Sequence, residues 1–187
     1  MTPRRRRRPA APGTPVTPDV AEMIRVDHAG EFGAMRIYEG QLAVLEARGH
    51  DKRAVTAIRR MAEQESRHLA RFNMLVNQRN VRPTALSPLW HAAGFALGAG
   101  TALLGTRAAM ACTAAVEQVI DDHYARQIDR LDGDPELKEA VTEFREDEIA
   151  HRDEALAHGA EDAPAYRLLS ETIKAGCRLA IRLSEKI

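Results

Sequence analysis

Residues 58–75 read Ile-Arg-Arg-Met-Ala-Glu-Gln-Glu-Ser-Arg-His-Leu-Ala-Arg-Phe-Asn-Met-Leu. Ile58, Met61, Glu65, His68, Phe72 and Leu75 fall at helical spacing, so they form one stripe of an α-helix. That stripe is apolar except at its middle, where Glu65 and His68 sit three residues apart. A solvated Glu-His pair belongs on the opposite face. An ionised carboxylate inside an apolar face is costly unless it is paired or bound to metal.

The same anomaly recurs in residues 137–155. Leu137, Val141, Phe144, Glu148, His151 and Ala155 form a second apolar stripe broken by Glu-x-x-His. Two further stripes each hold a carboxylate. Ile24, His28, Glu31, Met35, Tyr38, Leu42 and Leu45 make one, and Met110, Thr113, Glu117, Ile120, Tyr124, Ile128 and Leu131 make the other. Either Glu-x-x-His alone is a weak signal, because helical faces rich in Glu and His are usually solvated. Together the stripes give one Glu from each of two helices and Glu-x-x-His from each of two others, the ligand set of di-iron and di-manganese bundles.

Depth along the bundle supports the grouping. Glu31 lies 18 residues before Gly49 and Glu65 lies 16 after it. At about 1.5 Å per residue both are roughly 24–27 Å from the turn, so they come level in an antiparallel hairpin. Glu117 lies 16 residues before Gly133 and Glu148 lies 15 after it, which matches them in the same way. The chain therefore reads as a diverged duplication of one helical hairpin. Carboxylate and imidazole donors without thiolate suit Fe or Mn, and spacing does not choose between them. The alternative is a set of buried salt bridges without metal, with His28, His123 or arginines as partners.

Turn signals around these stripes predict six helices in an all-α, ferritin-like four-helix bundle. The first spans about Asp19 to Ala47. The second is capped by Asp51 and runs to about Asn80. The third opens at Ser87-Pro88, with Ser87 as N-cap, and reaches Gly105. The fourth covers about Thr106 to Leu131. Asp134-Pro135 caps and opens the fifth, to His158, and Pro164 opens a sixth. High Ala, Leu, Glu and Arg content and only 4% aromatics favour helix throughout.

The crossover from Pro83 to Thr106 carries no Lys, Arg, Asp or Glu. A spanning helix would separate the two hairpins that must share one site. A helix lying in the membrane interface, or packed on a hydrophobic partner, fits better. Residues 1–18 are expected to be a disordered Arg/Pro-rich tail, and 19–187 one domain. Arg4 to Arg8 lack a following apolar stretch, so no secretory signal is expected; an organelle transit peptide is disfavoured by the prolines, and a weak tether to anionic lipid is the other reading. Equal numbers of acidic and basic residues give no net field for nucleic acid. Cys112 and Cys177 are too few for a disulfide framework and fit a reducing compartment. Glu154 with His158 reads as helix-end stabilisation, and Glu63, Glu143 and Glu146 as solvated.

From about Ala21 to Ile187 the chain resembles the demethoxyubiquinone monooxygenase family of ubiquinone biosynthesis. The segments carrying the resemblance are Arg25-Val26-Asp27-His28-Ala29-Gly30-Glu31-Phe32-Gly33-Ala34, Glu65-Ser66-Arg67-His68, Ala115-Val116-Glu117 leading to His123-Tyr124, Glu148-Ile149-Ala150-His151, and Ala175-Gly176-Cys177-Arg178. The resemblance implies two iron ions per chain held by Glu31, Glu65, His68, Glu117, Glu148 and His151. It implies hydroxylation of the 5-demethoxyubiquinone or -quinol ring with O2 as co-substrate. Tyr124 matches a family tyrosine near the metal site, and His123 and Arg178 match family positions that assist quinone or electron handling; where the family often has two His before the Tyr, this chain has Asp122-His123.

A polyprenyl quinone substrate, a membrane surface and a lipid-binding or biosynthetic-complex partner follow from the same resemblance. So does a peripheral place on the cytoplasmic face of a bacterial inner membrane, or the matrix face of the mitochondrial one. No Gly-rich dinucleotide motif is present, so NADH as electron source would bind without a recognisable fold element; the alternatives are the quinol itself or a reductase. Asp27 and His28 are read either as groups orienting a ligand imidazole or as caps and structural contacts. Rival readings are an iron-storage bundle, a non-enzymatic helical interaction module and a di-iron quinol oxidase.

Overall fold

The computed structural model describes residues 16–49 and 51–187, and its described part is helical without strands. The Arg4–Arg8 expectation lies outside the described residues. Six helices occur in the expected order: α1 (Pro18–Ala47), α2 (Lys52–Gln78), α3 (Ser87–Leu103), α4 (Thr106–Ile128), α5 (Pro135–Ala157) and α6 (Tyr166–Lys186). The hairpins α1–α2 and α4–α5 pack together as a four-helix bundle. α3 lies along α1, and α6 lies along α4.

Local chemistry sets the ends. Thr17 caps α1 by accepting from the Val20 N–H, Asp51 caps α2 through Arg53, and Asp134 caps α5 through Leu137. Gly49 closes α1 in the left-handed region at φ 63°, where a side chain would be strained. Two starts differ from expectation. Ser87 is already inside α3 and Leu86 is its cap residue, because the Ser87 hydroxyl donates back to the Thr84 carbonyl instead of capping. Pro164 does not open α6. A short 3₁₀ turn occupies Ala160–Asp162, and Ala165 in the left-handed region (φ 53°) redirects the chain so that α6 begins at Tyr166.

The interior has three layers along the bundle axis. One apolar cluster joins Leu45, Ile58, Met61, Met110 and Ala155. Another joins Ile24, Phe72, Leu75, Leu131, Leu137, Val141 and Phe144. Each fully buried large side chain contributes about 1.5–3 kcal/mol. On α1, α2, α4 and α5 alike, the residues between these clusters are the predicted Glu and His. Arg79 at the end of α2 is buried against both carboxylate oxygens of Asp134 and against Glu136, tying one hairpin to the other.

The crossover helix packs by backbone approach. A Cβ on Gly98 would collide with the Ile37 carbonyl, one on Gly40 with the Phe95 carbonyl, and one on Gly94 would lie 2.9 Å from the Gly33 oxygen. Only glycine permits such contact. The outer face of α3 leaves Leu89, Phe95 and Leu103 exposed, and α6 exposes Leu168, Leu179 and Leu183. No helix among the described residues is long and apolar enough to cross a membrane.

Candidate metal centre

All six predicted ligands meet in the middle layer. Glu31, Glu65, His68, Glu117, Glu148 and His151 are buried, with Glu65 and Glu148 at 0% exposure. Glu31, Glu65, His68 and Glu148 offer ligand atoms lying within 4.8 Å of one another. So do Glu65, Glu117, Glu148 and His151. The two groups share Glu65 and Glu148, both on the Glu-x-x-His helices; Glu31 and His68 belong to one group alone, and Glu117 and His151 to the other.

Both imidazoles point Nδ1 inward. His68 Nδ1 lies 3.2 Å from Glu148 and 3.5 Å from Glu31; His151 Nδ1 lies 3.1 Å from Glu65 and 3.4 Å from Glu148. Phe144 stacks on the His68 ring at 4.0 Å between centroids. The outward nitrogens are held across the hairpins. His68 Nε2 is 3.0 Å from Asp147, His151 Nε2 is 3.2 Å from the Gln64 side-chain oxygen, and the Gln64 amide donates to Asp147 at 3.2 Å. Two phenols complete the layer. Tyr38 donates to Glu117 at 2.6 Å, and Tyr124 donates to Glu31.

These groups fit divalent cations. Both oxygens of Glu65 and Glu148, one oxygen each of Glu31 and Glu117, and Nδ1 of both histidines are buried without a hydrogen-bond partner. Such orphaned atoms are expensive in a protein interior. Burial drives the carboxyls of Glu65 and Glu117 well above their ordinary range, and the charge of Glu148 adds to it. Glu148 is raised as well, by burial, with the adjacent His68 imidazole opposing. Burial also pushes on Glu31, but the nearby His68 imidazole and its charge, with the Tyr124 hydrogen bond, outweigh it and hold this carboxyl low. His68 loses by burial and gains more from Glu148 and Glu31, ending at about 11, while burial lowers His151. The layer is thus frustrated as a set of protonatable groups. Two cations would relieve every conflict at once.

Two openings lead to the centre. An apolar cavity of about 390 Å³ runs between α1, α3, α4 and α6, with Glu31 and Tyr124 at its inner end and Ile37, Leu97, Ile120 and Ile181 among its walls. Trp90, also on the wall, donates to the Ser184 hydroxyl at 3.1 Å and so links α3 to α6. The other opening is a polar cleft between α2 and α5, lined by Arg60, Glu63, Gln64, Arg67, Ala150, His151 and Glu154.

His123 lines the cavity and bonds Asp27 at 3.1 Å; Arg178 is exposed on α6 and is not part of the lining. Asp27 and His28 do not orient a ligand imidazole. Asp27 is buried against His123 and Gln127, and His28 bonds Asn73, because both side chains leave α1 about one turn before the metal layer. The groups that reach the imidazoles are Gln64 and Asp147, each one residue before a shared Glu. Each lies at i−4 from the histidine of its own helix yet meets that of the other, so spacing along the chain gave no signal of the pairing. The Glu154 carboxylate pairs with Arg60 rather than with His158, which caps α5 through its backbone. Glu63, Glu143 and Glu146 are exposed, as expected.

A family model described as ubiquinone biosynthesis protein COQ7 matches residues 18–184. The 3-demethoxyubiquinol 3-hydroxylase of Rhodospirillum rubrum is 56% identical over 170 residues, covering 90% of this chain and 78% of the relative. The human mitochondrial NADPH-dependent 3-demethoxyubiquinone 3-hydroxylase is 52% identical over 173 residues, covering 90% and 78%. The mitochondrial 5-demethoxyubiquinone hydroxylase of Saccharomyces cerevisiae is 42% identical over 181 residues, covering 88% and 77%.

Proposed function

Because the chain belongs to the ubiquinone biosynthesis protein COQ7 family, whose relatives are hydroxylases of demethoxyubiquinol or demethoxyubiquinone, we propose that it is a di-iron monooxygenase acting on that ring with O2. The observation that carries the reading is the pair of buried donor sets sharing Glu65 and Glu148, one of which reaches an apolar cavity through Glu31. Glu31, Glu65, His68 and Glu148 would hold one ion, and Glu65, Glu117, Glu148 and His151 the other. Two bound iron ions would supply the electrons that reduce one oxygen atom of O2 to water while the other enters a ring C–H bond.

The chain's own residues bind, orient and exclude water. The cavity walls take the polyprenyl quinone and bring its ring toward Glu31. His123 and Tyr124 stand on that wall, where His123 meets the ring's oxygens and Tyr124 fixes Glu31. Arg178 acts from outside, on the exposed side of α6 next to the cavity residue Cys177, toward an anionic reductant or headgroup. The reductant is a nicotinamide nucleotide, as for the NADPH-dependent human relative, or the quinol. The exposed leucines of α3 and α6 rest on the membrane, so association is peripheral on the cytoplasmic face of a bacterial inner membrane, or on the matrix face in a mitochondrion. We read the bundle as ferritin-like.

The test is Glu148→Ala. Loss of this shared carboxylate removes both ions and abolishes hydroxylation, read by iron analysis per chain and by mass of the quinone product. A variant that keeps two irons and full turnover overturns the reading. Quinol oxidation without oxygen insertion would favour the oxidase alternative.

A further inference from the structure

We propose that the two metal positions are inequivalent, and that Asp147 makes the ion at Glu31 and His68 the more tightly held. This rests on the di-metal reading above. The centre has an approximate two-fold relation in its chemistry. Glu31 corresponds to Glu117, Glu65 to Glu148, His68 to His151, and Tyr38 to Tyr124. Each tyrosine follows the single Glu of its own helix by seven residues and donates to the Glu of the other helix. Because the bridging carboxylates are shared, the two positions have the same direct donors and the same phenol support.

Among the polar groups that meet the outward imidazole nitrogens, the match breaks at one pair. The residue before Glu148 is Asp147, and it faces His68 Nε2 at 3.0 Å. The residue before Glu65 is Gln64, and it faces His151 Nε2 at 3.2 Å. With Nδ1 on the metal, each Nε2–H donates outward. A carboxylate acceptor makes the imidazole a stronger donor to its metal than a neutral amide does. The Gln64 amide also donates to the other Asp147 oxygen at 3.2 Å, which fixes that carboxylate toward His68.

Surroundings are divided the same way. Glu31 lines the apolar cavity, whereas His151 lines the polar cleft. The firmly held ion thus belongs to the substrate side and the labile one to the water side. Asp147 is a positioning residue, acting through His68.

Titrating metal-free full-length protein with Zn²⁺, which is redox-silent and diamagnetic, tests this without turnover. Calorimetry should resolve two binding phases, and ¹⁵N imidazole spectra should show His68 responding before His151. Asp147→Asn should weaken the first phase about ten-fold or more and leave the second within about two-fold. Combining Asp147→Asn with Gln64→Glu moves the carboxylate to the other histidine and should reverse the order, a result that a merely structural Asp147 cannot produce. Two equal sites, His151 filling first in the unaltered protein, or an unreversed order in a folded double variant would overturn the inference. Fewer than two stoichiometric ions in the unaltered protein would instead sink the di-metal reading itself.

Discussion

Tyr38 and Tyr124 hold the terminal carboxylates from opposite ends of the polar layer, one rooted in each apolar cluster. Burial and the adjacent Glu charges keep both phenols protonated, so both act as donors. Tyr124→Phe should therefore retain metal but free Glu31 to rotate, lowering turnover about 10- to 100-fold. Iron content and product formation measured on the same preparation check this. Loss of iron together with activity would mean that Tyr124 holds the ligand set itself. At this scale Glu65, His68, Glu148 and His151 were legible as buried groups because Glu-x-x-His in the middle of an apolar stripe sets charge against burial. Gln64 and Asp147 were not, since they leave the stripe sideways and only the pairing of α2 with α5 shows which imidazole each meets.

Helix by helix, close approach and capping carry the architecture. Gly98 has no room for any side chain against Ile37, so Gly98→Val should push α3 off α1 and open the cavity wall. The expected cost is about 2–4 kcal/mol, read as a lower unfolding midpoint in denaturant. An unchanged midpoint would mean that α3 is only loosely seated. Asp134 serves α5 as cap and Arg79 as partner. Burial pushes its carboxyl up, but hydrogen bonds from Arg79 and the Leu137 N–H outweigh this and hold it below the usual range. Its contribution is accordingly present above the unfolded value near 3.9 and fades as pH falls through the lower folded value. Asp134→Ala should cost about 2 kcal/mol at neutral pH and less in strong acid, measured by thermal unfolding. Element order and number were readable from Gly, Pro and cap residues. The exact starts of α3 and α6 were not, because Ser87 and Pro164 are used in the preceding turns. The seating of α3 on α1 was equally hidden, since a charge-free glycine-rich segment reads the same on protein or on lipid.

For the molecule as a whole, the polar layer makes stability depend on cation and proton together. Burial raises Glu65 and Glu117 above the unfolded carboxyl value, and His68 stands at about 11 against 6.5. At these three groups the metal-free folded protein binds more protons than the unfolded chain, and the His68 contribution to stability is lost as pH rises from about 6.5 through about 11. Bound cations displace those protons and favour the folded state. The gain in melting temperature on loading should grow across that range, and a gain independent of pH would show that the layer is already neutralised within the protein. Composition made this layer visible as a contradiction between charge and burial; its division between two kinds of surroundings needed the packing of all six helices.

That division has a practical outcome. The cavity is walled by α1, α3, α4 and α6 and the cleft by α2 and α5, so no helix serves both. A water-soluble chelator meets the centre through one doorway and a greasy inhibitor through the other. Neither should obstruct its rival: with the proposed ions loaded, demetallation by the chelator is expected to proceed at the same pace whether the greasy site is vacant or filled.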